Sequence, residues 1–576
     1  MKKKTAVIYS MIVIFMCFLP NLQSGLVSGS DSPYHLYRIY SLADALKNGV
    51  FPVKVHPAMA YGYGYGTGFF YSDVLLYIPA ILILLGLSLA TAYKCFALLV
   101  IALLYSSMYF CIRKTGRTVW AALLAATLYI TSNEIIGGFY LDFRLGEMTG
   151  LIFMPIAIVG CLLFLKKGKS PLMMIAGFIG LMYTHSISGL LSAIVCVFIL
   201  LYSILELVKK PMRILQLILS AALALITTAS YWLPMWQQFR STRYKVSAPW
   251  TTEEQNVQSI ADVFGVGGIG LPIIICFALL LLLDVVISSV NRRTKKLESS
   301  AVSGERISGD WVFVTIVAVI LIVLTCSYPF WHLLNSHGIH VIQFTSRLYG
   351  PITVMLCIAI SILADRVMLL MVERRAGFVQ NSVLITSGLL ILTFAFCVLC
   401  AVHNYSANFM SSTNDVVNEV TNGEIAGIGA GEEWLPLETD RSMLTTPETA
   451  FDNEGESVSG IKTDGDVAFT FTADLSKDYY VVPYIFYRGY EVVDEAGNHY
   501  DVISNNGTGL LQVIMHGNDG NDSNSINATD GTVNLTVSFR GTFLLKLSYL
   551  ASTIGIIAVI VYGRYWKRKR ISGIGT

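Results

Sequence analysis

Long apolar runs separated by short polar breaks fill most of the chain. Each of twelve such runs approaches the roughly 20 residues needed to cross a bilayer as a helix. They lie near 5–23, 92–112, 119–137, 148–165, 171–186, 187–206, 213–233, 270–289, 311–328, 349–364, 382–402 and 543–563. Between the last two the pattern changes. Residues 403–541 carry strand-like runs at 467–472, 479–487, 500–503, 510–516 and 533–540. In the last, Val533, Leu535, Val537 and Phe539 alternate with polar residues, the period of a half-buried strand. Asp494–Asn498 reads as a hairpin turn. The pattern therefore predicts a polytopic α-helical membrane protein of about 12 spans, with a small extracytoplasmic antiparallel β-sandwich before the last one.

Two segments modify this layout. Residues 34–47 place Leu36, Ile39, Tyr40, Leu42, Ala43 and Leu46 at helical spacing. They predict an amphipathic helix lying on the outer surface, opened near Asp31–Pro33 and ended by Gly49. Residues 74–89 are apolar but short and carry Pro79.

Charge decides how the layout is oriented. Hydrophobic residues make up 54% of the 576-residue chain and charged ones 14%, against about a quarter in soluble domains. That excludes an ordinary soluble enzyme, a disordered chain and a nucleic-acid binder. Residues 403–541 hold 22 of the 38 acidic residues and only 5 of the 40 basic ones. The remainder is basic, in clusters at Lys2–Lys4, Arg113–Arg117, Lys166–Lys169, Lys209–Arg213, Arg292–Lys296, Arg366–Arg375 and Arg564–Arg570. With twelve spans every cluster falls on one side, which the positive-inside rule makes the cytoplasm. Both termini are then cytoplasmic, 403–541 is extracytoplasmic, and 74–89 is a helix that does not cross. The first span reads as an uncleaved anchor. The expected division is a membrane body over 1–402, with a first outer loop at 24–91, the acidic β domain at 403–541, and a final span with a basic tail at 542–576.

Cysteine adds little. All ten cysteines fall in apolar segments and none in 403–541, so the outer domain has neither a disulfide framework nor a thiolate metal site. Cys397 and Cys400 form a CxxC inside an apolar run, where thiols pack as small hydrophobes.

The candidate chemistry gathers on the outer segments. Asp31, His35 and Arg38 sit about one helical turn apart at the start of the amphipathic helix. An N-capping Asp with a solvated His and Arg gives the same spacing. In YLDFRLGEMTG, Asp142, Arg144 and Glu147 lead into the fourth span, as functional groups or as a surface ion pair. Arg347 stands at the mouth of the tenth span, where a guanidinium among apolar helices calls for a phosphate, of a lipid or of a bound substrate. Asp73 is a further carboxylate. The GYGYGTG run at 62–68 lacks the strand and the GK[ST] of a phosphate loop; it reads as a flexible loop with tyrosines at the lipid–water boundary. In the β domain, Tyr484, Tyr487, Arg488 and Tyr490 are candidate contacts for an acceptor glycan; a domain that simply packs on the outer loops is the simpler reading. The spans carry few charges, which argues against an ion-coupled transporter.

Several of these residues carry a family resemblance. Asp31, His35 and Arg38, then NGVFPVKV, GYGYGTGFFYSDVLLYIPA, FRLGEMTGLIFMPI, QFTSRLYG, GEEWLPL and YIFYRGYEVVDEAGN, resemble bacterial multi-spanning proteins carrying a 6-pyruvoyl-tetrahydropterin-synthase-related membrane domain. GEEWLPL departs from that pattern at Glu433, where an aromatic residue is expected. That group is similar in turn to the GT-C glycosyltransferases, which take a sugar from a polyprenyl-phosphate carrier on the outer face. The resemblance implies a plasma-membrane transferase with an essential Asp after the first span, and Asp31 occupies that place. It implies Asp31 as general base or metal-supported acceptor binder, and His35 as its neighbour in acid–base work. Arg38, Arg144 and Arg347 become ligands of the lipid phosphate, with Asp73, Asp142 and Glu147 as secondary carboxylates. The partners would be the bilayer, the lipid-linked sugar, and a cell-surface glycan or protein acceptor. A Mg or Mn ion could be held by Asp31 with other acids, though some members of the class need none. A lipid or glycan transporter and a non-catalytic envelope scaffold are the alternatives.

Overall fold

The computed structural model describes residues 3–248, 251–293, 310–372, 388, 412–413, 415–515 and 531–571. Among these, six helices are long and apolar enough to cross a membrane: Lys3–Leu22, Leu89–Lys114, Leu145–Lys167, Leu271–Ser289, Thr345–Leu370 and Phe543–Arg568. Three helix pairs bent by more than 40° are apolar and long enough together to be broken spans or re-entrant loops: Val119–Ile130 with Asn133–Tyr140, Met212–Thr227 with Ala229–Ser241, and Asp310–Thr325 with Tyr328–Ser336. Leu172–Met182 and Ser186–Tyr202 are shorter apolar helices. The run expected at 382–402 lies outside the described residues, apart from one helical position at 388.

The Tyr77–Leu84 helix has eight residues. At 1.5 Å per residue it reaches about 12 Å, well short of a ~30 Å hydrocarbon core.

Four of the basic segments meet at one end of the helices. The Thr118 backbone N–H donates to Asp365 Oδ2 (2.9 Å), and Arg213 Nη1 donates to the Leu165 carbonyl (2.9 Å). Lys166 pairs with Glu206 and Arg366 with Asp284, both at 2.6 Å. Asp31, Asp142 and Arg347 belong to segments at the other end. The Lys3–Phe18 helix leads out to Asp31, and Leu145–Lys167 and Tyr349–Val372 lead in from Arg144 and Arg347.

Strands β1 (Leu26–Val27) and β2 (Ser412–Thr413) form a short antiparallel pair that ties the first loop to the head of the β domain. The domain itself comprises β3 (Thr449–Asp452), β4 (Ser457–Lys462), β5 (Ala468–Asp474), β6 (Tyr479–Ile485), β7 (Tyr490–Asp494), β8 (His499–Tyr500), β9 (Val502–Ser504), β10 (Leu510–Ile514) and β11 (Thr532–Phe539). They make one nine-stranded antiparallel sheet in the order β8-β7-β11-β5-β4-β3-β6-β10-β9. The expected sandwich is thus a single sheet curled over on itself. Tyr480 of β6 meets Phe471 of β5 (5.3 Å between rings), and Tyr484 of β6 stacks on Tyr490 of β7 (5.2 Å), although neither pair of strands is adjacent. Curling buries one face and leaves the other wet, which is why Leu535 and Val537 are fully buried while Asn534 is exposed.

The Ser32–Lys47 helix is not a surface helix. Its buried positions include Ser32, His35, Leu36, Tyr37, Arg38, Ile39, Ser41, Leu42, Ala43 and Ala45, which run around most of its circumference. Its apolar stripe predicted one covered face. The Asp415–Thr421 helix and residues 426–427 cover more of it: the Ala60 N–H donates to the Ala426 carbonyl (2.7 Å), and Gly427 packs against the Tyr37 ring.

Candidate active site

The segment that presents Asp31 is built by a close backbone approach. A Cβ on Gly29 would lie 2.7 Å from the Leu141 carbonyl oxygen and 2.8 Å from the Phe143 nitrogen, so only glycine lets the two strands of chain touch. The Asp31 N–H then donates to the Asp142 carbonyl (2.9 Å), and the Ser32 hydroxyl donates to the Gly29 carbonyl (2.7 Å). Asp31 stands at the N-cap position, but its carboxylate caps nothing: no backbone N–H of the helix bonds to it. It is half-buried and forms no ion pair among the described residues. Burial, with the negative charges of Asp142 and Glu433, raises its carboxyl to about 6 against the opposing pull of Arg144 and Arg347. A carboxylate with free lone pairs that exchanges its proton near neutrality suits a general base.

Arg347 lies in the Thr345–Leu348 turn that opens the Tyr349–Val372 helix. Its Nη1 donates to the Ile342 carbonyl (2.9 Å), and no carboxylate pairs with it among the described residues. Arg144 differs: it bridges Glu147 (2.7 Å), Asp142 (3.0 Å) and Glu134 (3.2 Å), the last with no exposed surface. Of the two readings, functional groups or a surface ion pair, the structure shows a cluster of one arginine and three carboxylates, with Glu134 and Glu147 buried and Asp142 40% exposed.

Arg38 is a correction. Its side chain is 1% exposed, and Nη2 lies 2.6 Å from Asp73 Oδ1. The other Asp73 oxygen takes His56 Nε2 at 2.9 Å. The guanidinium lies over the Tyr71 ring (4.3 Å to its centre) and also donates to the Tyr71 carbonyl (3.2 Å). Burial works to raise the Asp73 carboxyl, but Arg38 and His56 bring it down to about 2. Both Asp73 oxygens are taken, while Arg38 Nε and His56 Nδ1 are buried with no hydrogen-bond partner among the described residues, so Arg38 and Asp73 are bound to each other inside the loop rather than turned to a lipid phosphate. A void of about 10 Å³, room for one water, lies beside Arg38, Gly146, Thr149 and Thr184.

His35 is also turned to this brace. It is 2% exposed, its Nδ1 lies 3.4 Å from Arg38 Nη1, and it makes no side-chain hydrogen bond to Asp31. Burial and the Arg38 charge hold the imidazole neutral. Asp31 is thus the member of the expected Asp31–His35–Arg38 trio left with a free functional group.

The tyrosines of the β domain are a second correction. Tyr484, Tyr487 and Tyr490 are buried. Tyr487 donates to the Trp434 carbonyl (2.8 Å) and Tyr484 to the Asp466 carbonyl (2.9 Å). Arg488 is exposed, but its backbone is fixed at both ends by Gln238 (2.9 Å each). These groups dock the domain on the membrane body and leave no ring face for a glycan. The glycine-rich loop belongs to the same joint. Tyr63 and Tyr65 are buried, and a Cβ on Gly66 would fall 2.5 Å from the Tyr487 ring. Lys462 of β4 donates to the Gly62 carbonyl. The loop is a seat for the β domain, not a lipid-facing tyrosine belt.

Two charged residues at this site have no role in the sequence reading: Glu134, one of the acids it places near the outer face, lies inside the Arg144 cluster, and the charge of Glu433 acts on both Asp31 and Arg347. The signal for Glu433 was present in GEEWLPL as an acid where an aromatic was expected. Among the described residues no group of three or more His, Cys, Asp or Glu side chains is arranged to hold a metal ion. The donor set among those residues does not fit a Mg or Mn site.

No family model matches the chain, and no curated protein matches it. Among solved structures it is similar to a cryo-EM structure of the arabinofuranosyltransferase AftD from Mycobacteria, at 12% identity and a TM-score of 0.41. That match covers 71% of this chain and 27% of the other, so the chain spans about a quarter of that enzyme's length.

Proposed function

We propose that the protein transfers a sugar from a polyprenyl-phosphate carrier to a cell-envelope acceptor at the outer face of the membrane. The observation that carries this reading is the pairing of opposites at one end of the helices: among the described residues, Asp31 is a carboxylate that forms no hydrogen bond and Arg347 an arginine that forms no ion pair, and their charges act on each other. Asp31 takes the proton of an acceptor hydroxyl. The acceptor oxygen bonds to the anomeric carbon, and the bond from that carbon to the phosphate oxygen breaks. The electron pair leaves with the polyprenyl phosphate, whose charge Arg347 offsets with its guanidinium fork. Neither nucleotide nor metal is needed for this balance, because the phosphate ester is already activated.

The division into a membrane body over 1–402, an outer β domain over 403–541 and a terminal span belongs to the same reading, as do cytoplasmic termini. Asp142 and Glu147 serve by holding Arg144 beside Asp31. The test is Asp31→Asn in purified protein supplied with labelled polyprenyl-phosphate sugars. Transfer should drop by about 10²–10⁴ with the folded yield unchanged; full activity would remove Asp31 from the chemistry.

A further inference from the structure

The first two turns of the Leu145–Lys167 helix are a wall shared by several parts of the site. Asp31 meets the chain just before this helix, where its N–H donates to the Asp142 carbonyl (2.9 Å). Gly146 and Gly150 follow, one turn apart on one face. A Cβ on Gly146 would fall on the Tyr71 hydroxyl, and one on Gly150 would lie 2.9 Å from the His185 Cβ. The two glycines thus open a groove that admits Tyr71 from the first loop and His185 from the turn before the Ser186–Tyr202 helix. The two rings lie 5.8 Å apart, and His35, one turn on from Asp31, lies 5.9 Å from Tyr71. The Tyr349–Val372 helix packs on the neighbouring face: a Cβ on Gly350 would lie 2.9 Å from Leu151. Both helices run inward from the same end, so Arg347, three residues before Gly350, stands level with the groove. Tyr71 and His185 are each held on one side and free on the other. Arg38 lies over the Tyr71 ring, but the Tyr71 hydroxyl makes no hydrogen bond among the described residues. His185 Nδ1 lies 2.8 Å from the Ser188 hydroxyl, which has no other acceptor there, so the hydroxyl proton goes to Nδ1 and the imidazole proton sits on Nε2. Nε2 has no partner either, although His185 is only 7% exposed. Both atoms keep accessible surface and can reach a ligand.

We infer that the Tyr71 hydroxyl and His185 Nε2–H, seated in the Gly146–Gly150 groove, donate hydrogen bonds to the phosphate of the polyprenyl carrier alongside Arg347. This rests on the reading of the site as that of a sugar transferase. A donor buried without an acceptor is costly, and two of them on one groove call for a ligand that brings acceptor oxygens. An arginine without an ion pair at the same level makes an anion the fitting one, and a phosphate has oxygens for all three. A guanidinium alone holds any anionic head group; two neutral donors fixed by a groove add shape to the recognition. They also stay in place as the phosphate gains charge on leaving the sugar, which favours the transition state over the bound donor. The glycines of FRLGEMTG then have a task that their place in a helix does not explain, since glycine weakens a helix interior.

The experiment titrates the full-length protein in detergent with a long-chain polyprenyl monophosphate and reads the bound fraction by native mass spectrometry. Polyprenol, which lacks the phosphate, and phosphatidylglycerol are run beside it. The wild type should hold the polyprenyl phosphate about tenfold or more tightly than either. Tyr71→Phe keeps the ring over Arg38 and removes only the donor. It should weaken polyprenyl-phosphate binding about tenfold and leave polyprenol binding unchanged. His185→Asn keeps a group facing Ser188 but loses the Nε2 donor, with the same result. His185→Gln, whose amide reaches the place of Nε2, should recover most of the binding, and Asp31→Asn should not weaken it. Unchanged phosphate binding in Tyr71→Phe and His185→Asn, or an equal loss of polyprenol, overturns the phosphate-binding role. Phosphatidylglycerol held as tightly as the polyprenyl phosphate overturns the carrier as the occupant. Sugar transfer is measured in parallel, with Tyr71→Phe and His185→Asn showing a raised KM for the lipid donor. Weakened phosphate binding in both variants with no transfer by the wild type upholds the phosphate seat and overturns the transferase reading alone.

Discussion

At the scale of single residues, the site separates charges that are satisfied from charges that are not. Arg38 and His56 both pair with the Asp73 carboxylate in a buried brace. Removing one partner leaves a charge stranded, so Asp73→Ala should lower stability by about 3–5 kcal/mol, read as a fall in melting temperature in detergent. The folded-state carboxyl of Asp73 is held at about 2, below its ordinary value near 3.8. Its stabilising contribution is therefore present above that ordinary value and is lost as pH falls toward 2. Asp31 has the opposite sign. Its carboxyl is raised to about 6, so it is ionised and able to accept a proton only above that pH. The acid limb of kcat/KM should fall off near pH 6, and a limb near 4 would mean that another carboxylate is the base. The Arg38–Asp73 pairing and the free state of Asp31 were out of reach from spacing alone. A turn of helix brings Asp31, His35 and Arg38 within range of each other, but which of them finds a better partner is decided by Asp73 and His56, from a separate stretch of the loop.

At the scale of elements, what was legible followed from local pattern and what was missed followed from packing between distant segments. Apolar length located the long helices, from Lys3–Leu22 at one end of the chain to Phe543–Arg568 at the other, and alternation located β11. Strands β3, β4 and β7 are short or mixed in polarity and carry no clear period of two; they exist because neighbours in the curled sheet pair with them. The Ser32–Lys47 helix shows an amphipathic stripe yet is covered on most sides, because the chain returns to it almost four hundred residues later. The glycine-rich loop has the same explanation, with Gly66 as the floor under Tyr487. Gly66→Leu should displace Tyr487 and loosen the β domain, seen as new proteolytic sites within 415–515 while the helices stay protected. Trp434→Ala should act on the same joint, losing about 1 kcal/mol of ring stacking beyond its burial.

For the whole molecule, a helical membrane body is joined to a β domain that packs on its first loop. Charge parity predicts every basic cluster on one side, and contacts among residues 118, 165–166, 206–213, 284 and 365–366 gather four of them, those beginning at Arg113, Lys166, Lys209 and Arg366, at one end of the helices. Single cysteines at exposed positions of the β domain, such as Ser457→Cys, should react with a membrane-impermeant maleimide added to intact cells, while Lys209→Cys should react only after the membrane is opened. The measurement that tests the central claim most directly is transfer of labelled sugar from polyprenyl phosphate to an envelope acceptor by purified wild-type and Asp31→Asn protein side by side. The account predicts transfer by the first and a loss of at least about a hundredfold in the second at equal folded amounts. Equal transfer by both proteins, or none by the wild type across the common polyprenyl-phosphate sugars, would contradict it.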